Sequence, residues 1–179
     1  MKTRRARKSD PEKMFQSSEA FLALCATLTT SVNLGNPNIL ELVMGTNAAF
    51  ALESYLKCLR TIDLGEYLEG HDLKLLYDDL SEESRTEIER RHAKCEQALP
   101  IFGIMRKSGI HTDLRSLLES GRNAFQDFRY AYEEIPRDTV WGLDVLMLIV
   151  KHLILEKRPE WKHFQLDHTP SPHIARESK

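Results

Sequence analysis

The sequence predicts an all-α protein, an up-and-down bundle of about five to six helices, and three observations carry that prediction. From Leu114, apolar residues recur at the helical period through Leu117, Leu118, Gly121, Ala124, Phe125, Phe128, Ala131, Tyr132 and Ile135, one continuous stripe on a straight helix. Residues 140–157 are apolar almost all round, as in a helix at the centre of a bundle or half in a dimer interface. Between such segments lie capping residues and breakers: Ser9-Asp10-Pro11, Asn33-Leu34-Gly35-Asn36-Pro37, Asp63-Leu64-Gly65, Ser81 and Thr112-Asp113.

The chain has 179 residues, 41% of them hydrophobic, enough for one well-buried domain. Its charged residues nearly cancel, to a net of −2, so any nucleic-acid surface has to be local. Cys25, Cys58 and Cys95 are far apart, each in a helical pattern, and read as packed thiols. No run is long and apolar enough to span a bilayer and no apolar leader stands at the start; a cytoplasmic protein is expected.

In order, residues 1–9 read as a basic disordered tail, although a short Arg/Lys cluster can also hold RNA. Helix 1 starts at Pro11 behind its cap, with Met14, Ser18, Phe21, Leu22, Cys25 and Leu28 inward. A second helix runs from about Ile39 to Ile62, closed by Gly65. Glu53 and Lys57 fall inside its core-facing sector, where a charged pair needs hydrogen-bonded partners or a watery groove; a pair solvated beyond the edge of the core is the alternative. Gly70-His71-Asp72-Leu73 opens a short helix through Leu80, and His71 reads as a cap or turn histidine. Ser81 caps a charged, peripheral helix that Pro100 ends, and Ile101–Met105 reads as a packed loop.

Thr112-Asp113 caps the striped helix that begins at Leu114. Arg122 and Arg129 lie together along one edge of that stripe, in i,i+4 register with Gln126 and Glu133. Such arginines either snorkel and pair locally or offer forked donors to a phosphate or carboxylate. The last helix, to Lys157, is stopped by Arg158-Pro159, and 159–179 reads as a tail. His163, His168 and His173 in that tail lack a shared face and a Cys or acidic cluster, so no metal site is expected.

Three segments in this order resemble the HEPN superfamily (higher eukaryotes and prokaryotes nucleotide-binding): residues 47–59, Asn47-Ala48-Ala49-Phe50-Ala51-Leu52-Glu53-Ser54-Tyr55-Leu56-Lys57-Cys58-Leu59; residues 70–76, Gly70-His71-Asp72-Leu73-Lys74-Leu75-Leu76; and Arg122-Asn123. The resemblance covers roughly residues 10–157 and is closest to stand-alone bacterial members ending in a segment like Phe128-Arg129-Tyr130-Ala131-Tyr132-Glu133. It implies a helical bundle, 10–158, that forms a homodimer, and in active members a metal-independent endoribonuclease of toxin or phage-defence type, with no cofactor. The resemblance assigns catalysis to an arginine with a histidine four to six residues beyond it. Arg122-Asn123 matches the first half, but Asp127, Phe128 and Arg129 stand where the histidine belongs, and no arginine supplies a general acid/base in its place.

Arg85 with His92, Arg106 with His111 and Arg158 with His163 satisfy the spacing outside the matching helix. His111 is the runner-up, because a loop beside the striped helix could deliver it to Arg122. Three readings follow. One is a non-catalytic domain binding RNA, a nucleotide or a protein partner through a groove of Glu53, Lys57, Arg122 and Arg129, with Asn47 and Asn123 also as binding candidates. The second is an endoribonuclease in which Arg122 holds the phosphate and a displaced histidine moves protons. The third is a structural network with no ligand. The first two expect Arg122 to face Glu53 and Lys57.

Overall fold

The computed structural model describes residues 5–31, 37–124 and 143–164. It is an all-α helical bundle carrying one small two-stranded sheet. The elements are β1 (Ala6–Arg7), α1 (Pro11–Ser31), α2 (Pro37–Leu64), β2 (Tyr67–Leu68), α3 (Leu73–Asp78), α4 (Glu82–Ala98), α5 (Pro100–Lys107), α6 (Leu114–Ser120), α7 (Leu143–Lys157) and a 3-10 helix, Pro159–Phe164. Among the described residues this is seven α-helices and a 3-10 helix, more than the five to six expected.

Helix α2, 28 residues and about 42 Å long, is the central rod, with α1 and α7 packed on it and α4 on α7. Its buried side chains Ala49, Leu52, Tyr55, Leu56 and Leu59 meet Phe15 of α1 and Leu146, Val150 and Ile154 of α7. Gly65 ends it at φ 81°, a conformation that favours glycine, and its N–H bonds the Thr61 carbonyl at 2.9 Å. Just before that end, Asp63 ties three elements together: the Ser81 and Ser84 hydroxyls each donate to it at 2.6 Å, and Lys157 lies 2.8 Å away. Burial works to raise the Asp63 carboxyl pKa, but the bonds from Lys157, Ser81 and Ser84 outweigh it and hold the group low.

Several expectations are corrected. The stripe of α1 holds at Ser18 and Cys25, which are buried, but Phe15 and Glu19 are buried too, whereas Met14, Phe21 and Leu22 pack only at the margin. Residues 100–107 form a helix instead of a loop, because Pro100 opens α5 as its first residue rather than only closing α4; Phe102 and Met105 face inward and Ile101 and Ile104 outward. The basic leader is not a free tail over its described part, since β1 pairs antiparallel with β2, Ala6 opposite Leu68 and Arg7 opposite Tyr67. Nor does the packed structure stop at Arg158: Trp161, 5% exposed, seals the core with its ring 5.5 Å from that of Phe15.

The buried centre holds charge. Glu19 of α1 accepts hydrogen bonds from Tyr55 of α2 and, at 2.9 Å, from Lys151 of α7, all three buried. Carboxylate, ammonium and phenol satisfy one another there, which offsets the desolvation each would otherwise suffer. Among the described residues no helix is long and apolar enough to cross a membrane.

Candidate functional site

The expected single helix from Leu114 breaks where its arginine stands. Asp113 caps α6, its side chain accepting from the Ser116 N–H at 2.9 Å, and the helix ends at Ser120 with Gly121 as its C-cap. Gly121 is buried, and a Cβ there would lie 2.8 Å from Leu143 Cδ1, so a close approach of α7 uses the missing side chain. Gly121, Arg122 and Asn123 form a turn, with Asn123 exposed. Arg122 therefore projects from a turn and not from a helix face. Arg129 and the rest of the stripe from Phe125 onward lie outside the described residues.

Asp72 receives Arg122. Its Oδ1 caps α3 by accepting from the Leu75 N–H at 3.0 Å, and its Oδ2 accepts from Arg122 Nε and Nη2 at 3.2 and 2.8 Å. The Leu73 N–H also donates to the Arg122 carbonyl at 2.9 Å, so main chain and side chain staple the turn to the first turn of α3. Glu119 takes the remaining arm of the guanidinium, Nη1 to Oε1 at 2.7 Å. These two carboxylates raise the guanidinium pKa further, which leaves Arg122 a fixed cation with no proton to give.

One residue away, His71 turns to α2. Its Nδ1 lies 3.0 and 3.1 Å from the two oxygens of Glu53, which is itself buried and bonded by Lys57 at 2.6 Å. An imidazole nitrogen facing both oxygens of a carboxylate carries the proton, so Glu53 sets the tautomer of His71. Gly70, at φ 133°, gives the backbone the turn that aims His71 this way. Lys57 also sits 5.5 Å from the centroid of the Tyr67 ring, reaching from α2 to β2.

The expected groove is not formed by direct contact, since Arg122 bonds neither Glu53 nor Lys57. Arg122 bonds Asp72 and Glu119; Glu53 bonds Lys57 and His71; consecutive residues His71-Asp72 link the two sets. Asn47 is elsewhere engaged, donating to the Val43 carbonyl at 2.7 Å within its own helix. The runner-up pair is separate: Arg106, in α5 and not a loop, bonds Glu96 and Thr112, and His111 is exposed beside Thr112. The other spaced pairs are dispersed too. His92 is buried edge-on to Phe102, its pKa pulled below the ordinary value by burial, and His163 bonds the Glu160 carbonyl.

Sequence reasoning missed His71 and Asp72 as members of the cluster, although Gly70-His71-Asp72 is visible as a turn-and-cap signal. The pairing with Glu53, 18 residues earlier, has no local signature. Two open grooves, of about 690 and 530 Å³, lie along α4 and do not touch the cluster. Among the described residues no group of three or more His, Cys, Asp or Glu side chains is placed to hold a metal ion. No family model matches the sequence, and no curated protein or solved structure matches it.

Proposed function

We propose that this chain is a HEPN-like helical domain that binds RNA without cutting it. The observation that carries the non-catalytic half is the occupation of Arg122 by Asp72 and Glu119: the group that would grip a phosphate is spent on carboxylates of the same chain. A phosphate entering there displaces two anions before it gains one cation. The binding half rests on the resemblance and on Arg5 and Lys8, exposed cations that form no ion pair with another described residue. The same resemblance extends the proposal to a homodimer in a bacterial defence or stress setting.

A second reading, a metal-independent endoribonuclease, draws on one observation: a histidine oriented by a buried carboxylate stands next in sequence to the residue that holds Arg122. In that reading His71 is the displaced histidine and Arg122 stabilises the scissile phosphate.

Incubating the purified chain with labelled RNA in the presence of a metal chelator separates the two. The RNA is expected to stay intact while its binding weakens with added salt. Cleavage abolished by both Arg122→Ala and His71→Ala would establish the second reading. Neither binding nor cleavage, with Arg122→Ala only lowering the melting temperature, would reduce the cluster to a brace.

A further inference from the structure

We propose that β1 and the Tyr67 face of β2 form a track for single-stranded RNA that runs into the Lys57–His71 cluster; this rests on the RNA-binding reading and says where the strand lies. Residues 1–8 carry Lys2, Arg4, Arg5, Arg7 and Lys8 and no acidic residue. The fold gives residues 5–8 of that run a fixed place. The ladder sets Arg7 opposite Tyr67, and the Glu69 N–H donates to the Arg5 carbonyl at 3.1 Å.

In a strand alternate side chains share a face, about 6.5–7 Å apart, so Arg5 and Arg7 project on the same side as Tyr67 and Glu69. The ion pair between Arg7 and Glu69 is the diagonal contact that this register predicts. Lys57 approaches the same tyrosine from α2, which leaves an aromatic ring between a lysine and an arginine.

Cations alternating with an aromatic face are what an unpaired strand needs: phosphates meet the charges and a base stacks on the ring, with little regard to sequence. Arg5 is exposed and forms no ion pair with another described residue, and the pair of Arg7 with Glu69 is open to solvent and weak, in contrast to the forked hold of Asp72 on Arg122. The half-exposed His71 ring continues the polar strip beyond Lys57 through Glu53.

The test is fluorescence anisotropy of a short labelled oligouridylate with the full chain, without metal. Arg5→Glu with Arg7→Glu is expected to weaken binding at least about tenfold and to flatten its salt dependence. Tyr67→Ala is expected to lose about tenfold, and Tyr67→Phe to retain binding. Melting curves of all variants establish that they fold. If the wild type binds RNA and both the charge-reversed and Tyr67→Ala variants bind it equally well, the track is refuted while the RNA-binding reading stands. If the wild type does not bind RNA, the reading itself fails. Binding to phosphatidylserine vesicles that the charge reversal abolishes and Tyr67→Ala leaves unchanged, with no such response to oligouridylate, would overturn the track in favour of a membrane-attracted leader.

Discussion

Replacing Glu19 by alanine tests the buried centre of the bundle. The substitution leaves the Lys151 ammonium, 7% exposed, without its carboxylate, and the Tyr55 hydroxyl, fully buried, without its acceptor. Breaking a buried ion pair from one side costs about 3–5 kcal/mol, because the surviving charge keeps its desolvation penalty and loses the compensation. Against a total stability of about 5–15 kcal/mol, that is a large share. For a chain of this length each kcal/mol moves the melting temperature by about 2–4 °C, so a drop of about 6–20 °C is expected. Urea unfolding followed by circular dichroism measures the loss directly. The informative companion removes all the polar partners together: Glu19→Leu, Lys151→Met and Tyr55→Phe leave nothing stranded and are expected to recover most of the stability. A loss below about 1 kcal/mol for Glu19→Ala, or a triple variant no better than the single, would refute the account of a mutually satisfied network.

Two further outcomes follow from the packing. Burial lowers the pKa of His92 below its ordinary value of about 6.5, so the unfolded chain takes up a proton that the folded chain resists. Its stabilising effect is therefore complete above that pH and is lost as the pH falls below it; unfolding measured from about pH 8 to about pH 5 should show the decline, and His92→Leu should reduce it. Trp161→Ala is expected to cost about 3–5 kcal/mol in denaturant unfolding, since it opens a cavity beside Phe15; a cost near zero would mean that the 3-10 helix is a dispensable appendage.

What the sequence revealed depended on whether the cause was local. Caps and stops are local, and Asp10, Ser81, Asp113 and Gly65 mark their helix ends as read from residue type alone, whereas the cap of α3 is Asp72 and not the expected His71. Pro100 was ambiguous, because a proline that cannot continue one helix is equally suited to the first position of the next. The stripe through Gly121 misled for a related reason: periodicity runs across the glycine, yet the glycine caps α6, and the period does not say which applies. The burial of Glu19 has no local signature, since its counter-charge, Lys151, is 132 positions away. The core-facing sector of Glu53 and Lys57 was legible, but not their attachment to His71, which depends on how the chain turns at Gly70.

The two oxygens of Asp72 have different employers, one capping α3 and the other holding Arg122. That division makes the position a constraint on how such a chain can drift. Arg122 can be lost while the helix keeps its cap, and Asp72→Asn can keep the cap while releasing the arginine, but Asp72→Ala forfeits both at once. A lineage that frees Arg122 for another ligand therefore has a cheap first step at residue 72, amide for carboxylate, that leaves the bundle intact.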